Sequence, residues 1–265
     1  MIDSAPAKSV VWTLRIGVAS EFIGHGMLGL GHPAAWTSYF GVMGIGRHTA
    51  FTLMPAIGGF DVAMAIAVLV IPIPAVILYM AVWGLWTASL RPLAGEPVWE
   101  AVERAGNYGA PLALLLLTDR ARRGAWRRPA IFRLPEAGSR RRLEQVLQFT
   151  AVLLLAGHGA LGLWVHKPLL AGQYAAIGLP VGTEPAVGAI ELGLALAVLF
   201  RPSFGLLAAV AAWKLATEAL SPFTGSPIWV FFEHGGSYAA PLALALLRRS
   251  GPAAAVRQFG KRLAS

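Results

Sequence analysis

The chain is built of long apolar runs separated by short polar or proline-rich interruptions, and these runs predict its elements. Apolar segments cover about 9 to 31, 55 to 72, 74 to 91 and 98 to 117. The series then recurs at about 144 to 165, 185 to 202, 204 to 221 and 228 to 247. Each run comes near the ~20 residues that a helix needs to cross a ~30 Å hydrocarbon layer, the second and third of each series being short. The expected fold is all-α, a polytopic membrane protein with eight transmembrane helices. Between the first two runs of each series lies a segment of aromatic, glycine and short apolar stretches, His32 to Met54 and His166 to Glu184. Such a segment is expected along the membrane interface or dipping into it. Pro111 and Pro241 fall inside the last run of each series. Each removes a backbone donor there and predicts a kink or a free carbonyl at Asn107 and Ser237.

The two series are copies. Gly24-His25-Gly26-Met27-Leu28-Gly29-Leu30 returns as Gly157-His158-Gly159-Ala160-Leu161-Gly162-Leu163, an offset of 133. From Pro55 onward the offset is 130, pairing Pro55 with Pro185, Asp61 with Glu191, Trp83 with Trp213, Thr87 with Thr217 and Tyr108 with Tyr238. The run Ala-Pro-Leu-Ala-Leu stands at both 110 to 114 and 240 to 244. A period of this kind reads as two fused structural units. The expected organisation is a four-helix membrane repeat at 1–118, an arginine-rich linker at 119–143, a second four-helix repeat at 144–248 and a basic tail at 249–265. An even number of spans per unit makes the halves parallel repeats.

Composition agrees with the membrane class. The 265 residues are 56% hydrophobic and 13% charged, with mean hydropathy +0.62; soluble domains carry about a quarter charged residues. No small-residue cleavage site follows the first run, so it is expected to be a retained helix. The absence of cysteine excludes disulfides, thiol exchange and cysteine-held clusters. The net charge of +9 is gathered in two places: nine arginines between Arg120 and Arg142, and Arg248, Arg249, Arg257, Lys261 and Arg262 in the tail. Flanking positive charge of this kind is an orientation signal, placing linker and both termini in the cytoplasm of a bacterial inner membrane and arguing against nucleic acid as a partner.

Ionisable groups inside spans cost roughly 2.5 to 3.5 kcal/mol each and so demand a reason. His25 and Asp61 each lie about six residues from the outer end of their runs, ~9 Å deep at the helical rise. They are expected to meet, as are His158 and Glu191. The halves differ at Glu21, whose counterpart is Leu154, and at Lys214 and Glu218, which replace Gly84 and Ala88. These seven residues, His25, Asp61, Glu21, His158, Glu191, Lys214 and Glu218, are the candidate binding site. Their charges either mark specialised sites or neutralise each other across the seam, with Glu21 opposite Lys214. The His–carboxylate pairs could serve helix packing, proton transfer, or a quinone or haem b ligand, and the carboxylates Asp61 and Glu191 also suit a hard-cation site. Gly24, Gly26 and Gly29 fit G-x-G-x-x-G, but no strand precedes them, so close helix packing is the expected role. Tryptophans 36, 83, 99, 213 and 229 are expected as interfacial or core residues, and Glu96, Glu100, Glu103 and Arg104, with Glu233 and His234, as a solvated helix entrance.

The unit Leu14-Arg15-Ile16-Gly17, Gly24-His25-Gly26, Pro55 to Asp61 and Gly106-Asn107-Tyr108-Gly109-Ala110-Pro111 resembles the DoxX-like four-helix membrane superfamily. The second copy is similar to a second member, with Glu191 at the acidic position of its second span. The resemblance implies an association with membrane redox chemistry, since its members include a thiosulfate:quinone oxidoreductase subunit, oxidative-stress membrane complexes, a maturation factor for a periplasmic dehydrogenase and a eukaryotic cargo receptor. This chain departs from that pattern in its duplication, in Asp61, and in Gln148 where the first copy has Arg15. The expected function is an integral subunit or anchor of a membrane redox complex, with a membrane or periplasmic redox partner. A small-solute transporter or an assembly factor for exported proteins is the alternative.

Overall fold

A computed structural model describes residues 5–119 and 124–249. Arg120, Arg122 and Arg123 of the predicted linker, and the basic tail beyond Arg249, lie outside the described residues. Twelve α-helices are formed among those described: α1 (Ala5–Leu30), α2 (Thr37–Val42), α3 (Arg47–Val70), α4 (Pro74–Leu93), α5 (Trp99–Glu103) and α6 (Ala105–Leu116) in the first half. The second half carries α7 (Ala137–Leu163), α8 (Pro168–Ala176), α9 (Glu184–Phe200), α10 (Phe204–Glu218), α11 (Trp229–Glu233) and α12 (Gly235–Arg249). One isolated antiparallel bridge, Thr118 to Phe132, ties the linker to the end of α6.

Among the described residues, four stretches are long and apolar enough to cross a membrane: Arg47–Val70, Pro74–Leu93, Ala137–Leu163 and Phe204–Thr224. Their outer faces leave Ile66, Val82, Leu85 and Phe149 exposed. In water so much exposed apolar surface would drive association, whereas lipid accepts it. The protein is an all-helical membrane protein. Its interior is aliphatic, built from Leu14, Val18 and Phe22 of α1, Leu114 of α6, Leu147 and Leu155 of α7, and Leu244 of α12.

Two boundaries differ from those expected. Helix α3 begins at Arg47 and carries Pro55 in its interior. Its first turns bury Ala50 and Met54 against Phe40 of α2, apolar contacts that extend the helix ahead of the hydropathy run. The fourth and eighth runs are each two helices, broken at Arg104 and His234. Pro111 and Pro241 sit within continuing helix seven residues beyond each break. The kink is therefore set where buried charges enter the helix, and each proline forgoes only one bond to the preceding turn.

Glycine contacts hold the helices together. A Cβ on Gly26 would meet the Gly58 carbonyl at 2.6 Å, and one on Gly159 would meet the Gly188 carbonyl at 2.8 Å, so α1 lies on α3 and α7 on α9 with nearly bare backbones in contact. The halves also interlock. Gly24 of α1 faces the backbone of Trp229 and Glu233 at α11, and Gly157 of α7 faces that of Glu103 at α5. Gly106 and Gly236 rest directly on each other, a Cβ on Gly106 falling 2.7 Å from the Gly236 carbonyl carbon. Arg15 Nε donates to the Val68 carbonyl at 2.9 Å and Arg15 also bonds Leu69, satisfying carbonyls orphaned at the end of α3. Gln148 Nε2 does the same for Val198 and Leu199 of α9, at 3.0 and 2.8 Å. The apparent departure at 148 preserves one structural job.

Candidate functional site

Helix α1 presents His25 to the centre of the molecule, one turn beyond Glu21, because Gly24, Gly26 and Gly29 let two neighbouring backbones close in around it. His25 Nδ1–H donates to Asp61 Oδ2 at 2.7 Å, and Asp61 is wholly buried. A carboxylate on Nδ1 fixes that nitrogen as a donor and leaves Nε2 for a ligand. The imidazole stacks on Trp36, with centroids 4.7 Å apart. Both groups line a partly open cleft. Trp36, Phe40, Met54, Trp83 and Trp86 form its apolar wall, and His25, Arg104, Asn107 and Glu233 its polar end. The mouth is tied by Tyr39, whose hydroxyl donates to Glu96. Arg91 in turn donates to Tyr39 Oη at 3.0 Å and to Glu96 Oε2 at 3.1 Å. Burial, with Glu96 beyond it and against the pull of Arg91, pushes the Tyr39 phenol up to about 12.

The matching group in the second half is closed. His158 bonds Glu191, which also accepts from Trp213 Nε1 at 2.9 Å. Lys214 Nζ lies 3.8 Å from Glu191 Oε1 and 2.9 Å from Glu218 Oε1, and His234 Nδ1 lies 2.9 Å from the other Glu218 oxygen. Glu103, His158 and Glu218 bring ligand atoms within 4.8 Å of one another, as a metal site would. Three cations already stand there, however: Lys214 on Glu218, and Lys167 and Arg104 on Glu103 at 3.6 and 3.7 Å. The carboxylates are neutralised by protein cations, so the donor set does not fit a metal ion.

All seven sequence-predicted residues are thus found in two clusters, His25, Asp61 and Glu21 in one and His158, Glu191, Lys214 and Glu218 in the other. The expected Glu21 to Lys214 neutralisation across the seam is absent. Lys214 is held by Glu191 and Glu218 of its own half, and Glu21 Oε2 has no hydrogen-bond partner. The expected solvated entrance is also corrected, since Glu100, Glu103, Arg104, Glu233 and His234 are all buried. The glycines of α1 and α7 draw α11 and α5 across the seam, which carries Glu233 toward the His25 cleft and Glu103 toward His158. Trp83 and Trp213 likewise prove to be site residues, one lining the cleft and the other bonded to Glu191. The repeated pairs Glu103/Glu233 and Trp83/Trp213 were the available signal for these additions. No protein-family model, no curated protein and no solved structure matches this chain.

Proposed function

We propose that this protein is a duplicated DoxX-like membrane subunit whose first half binds a quinone head group in the His25 cleft, as part of a membrane redox complex. On this reading eight segments traverse a bacterial inner membrane as two parallel four-helix repeats, with both termini cytoplasmic. The broken fourth and eighth segments cross as the pairs α5–α6 and α11–α12. The matched His25–Asp61 and His158–Glu191 pairs, and the matched roles of Arg15 and Gln148, support the repeat.

The observation that carries the functional reading is a histidine–carboxylate dyad at the closed end of an aromatic cleft. Flat aromatic heads are held by stacking walls such as Trp36, Trp83 and Trp86, and a quinone oxygen needs one well-placed polar partner. His25 Nε2 supplies it. Reduction of a quinone to its hydroquinone consumes two electrons and two protons. Both electrons come from a redox partner; an imidazolium at His25, stabilised by Asp61, delivers one proton to a quinone oxygen, and water at the open side of the cleft supplies the second to the other oxygen. Haem fits less well. The cleft is lined by His25 without His158, so the two histidines do not share one ligand space.

The test is direct. Protein purified from membranes is extracted and examined by mass spectrometry for quinone, and a short-chain quinone is titrated against tryptophan fluorescence. Saturable quenching is expected, weakened roughly 10- to 100-fold in His25→Ala by loss of a charged hydrogen bond. Equal quenching in both proteins would refute the assignment. Uptake of a small solute by liposomes containing the protein alone would favour the transporter instead.

A further inference from the structure

Beside His25 lies a small, partly open chamber, large enough for about one water-sized sphere, lined by Glu21, Phe22, His25, Trp83, Gly84, Thr87 and Asn107. Two of its acceptors are buried without partners. Glu21 is 2% exposed with Oε2 unbonded, and Asn107 is 4% exposed with Oδ1 unbonded. The charges that act most on Glu21 are Glu233 and Asp61, both carboxylates. The cations nearby are committed elsewhere: Arg91 to Glu96 and Glu100, Arg104 to Glu100 and Glu103, and His25 to Asp61. A buried carboxylate without a counter-charge is costly and is relieved either by a proton or by a bound cation, and the unpartnered Glu21 and Asn107 oxygens share one space that could hold the latter.

The second half fills the corresponding place differently, with the pair Lys214 and Glu218 where the first has Gly84 and Ala88. Where the first half has Gly84, the second has Lys214, 1% exposed, with its ammonium against Glu218 and Glu191. Where the first has Glu21, the second has Leu154. One half carries a tethered monovalent cation and the other carries a surplus carboxylate beside an empty space.

We propose that the chamber is a monovalent-cation site, in which the Glu21 carboxylate, Asn107 Oδ1 and Thr87 Oγ1 hold a sodium, potassium or ammonium ion. All three donors are oxygens, as hard cations prefer. The Thr87 proton goes to the Gly84 carbonyl at 3.2 Å, so its lone pairs remain for the ion. Glu21 is the one charged donor of the three, Asn107 and Thr87 being neutral, which suits a single positive charge.

The lysine comparison rests on the repeat proposed above; the following measurement does not, and because it reads no quinone the two can fail separately. Full-length protein is purified with N-methyl-D-glucamine chloride as the only salt. Sodium, potassium and ammonium chloride are then exchanged in at constant ionic strength while tryptophan fluorescence and the thermal midpoint are followed. At least one of the three is expected to raise the midpoint and shift the fluorescence saturably, with one ion per chain. In Glu21→Gln that response should be lost or weakened at least tenfold, and in Asn107→Ala it should weaken several-fold. Should Glu21→Gln not fold, Glu21→Leu, which copies position 154, serves in its place. Three salts indistinguishable from N-methyl-D-glucamine in the wild type, or an unchanged response in the Glu21 variants, would overturn the site.

Discussion

Lys214 is the residue on which the second half depends most heavily. It is a fully buried ammonium placed between two buried carboxylates. Removing one partner of such a group strands the other charges, at roughly 3 to 5 kcal/mol. Lys214→Met is therefore expected to lower the thermal midpoint by many degrees, and Glu218→Ala added to it to restore part of the loss. A single variant within 1 kcal/mol of wild type would show that the cluster adjusts by proton uptake instead. Arg15 and Gln148 invite a milder exchange, because both cap helix carbonyls in the same way. Arg15→Gln should cost no more than about 1 kcal/mol, whereas Arg15→Ala, which leaves those carbonyls bare, should cost about 1 to 3 kcal/mol. Thermal unfolding of the two variants side by side distinguishes them. Tyr39 supplies a pH dependence. Its folded value near 12 lies above the ordinary 10, so its contribution is complete below pH 10 and is lost as pH rises through 12. Phenolate absorbance that reaches half its amplitude for this residue near pH 10 would contradict the Tyr39–Glu96 tie.

At the scale of elements, packing depends on which glycines meet another backbone. Gly59 and Gly193 have open space where a Cβ would go, and alanine there should be neutral or gain about 0.5 to 1 kcal/mol through helix propensity. Gly24 and Gly157 face the backbones of α11 and α5, so Gly24→Ala and Gly157→Ala should force helices apart and lower stability by several kcal/mol. Comparing the four alanine variants by thermal unfolding separates packing from propensity. The sequence made part of this legible. Counting depth along the runs placed His25 with Asp61, and the spacing of Gly24, Gly26 and Gly29 announced close helix contact. The breaks at Arg104 and His234 fall at charged residues within the runs, Glu103-Arg104 and Glu233-His234, but the nearby prolines supplied a false cause. The burial of Glu103 and Glu233 could not be read from their own neighbourhoods, because the surfaces that cover them are glycines of the other half.

For the whole molecule, that exchange defines how the halves belong together. Helix α1 packs on α11 and α12, and α7 packs on α5 and α6. Segments 1–118 and 124–265 made as separate chains in one cell are therefore expected to copurify. Recovery of either half alone as a folded species would contradict the interlocked arrangement. The membrane class was visible in the residue pattern. The difference between an open first site and a closed second one was visible only as the substitutions at 21, 84 and 88, whose meaning needed the distances.

The bare crossing of Gly106 on Gly236 has a mechanical consequence. No side chain stands between α6 and α12 at that point to absorb a displacement by changing rotamer. Helix α12 follows directly on α11, which overlies the His25 cleft, and α6 follows directly on α5, which overlies His158. Were a ligand in the His25 cleft to displace α11, the shift would reach α6 through this crossing with no rotamer change to absorb it, and with it α5 beside His158.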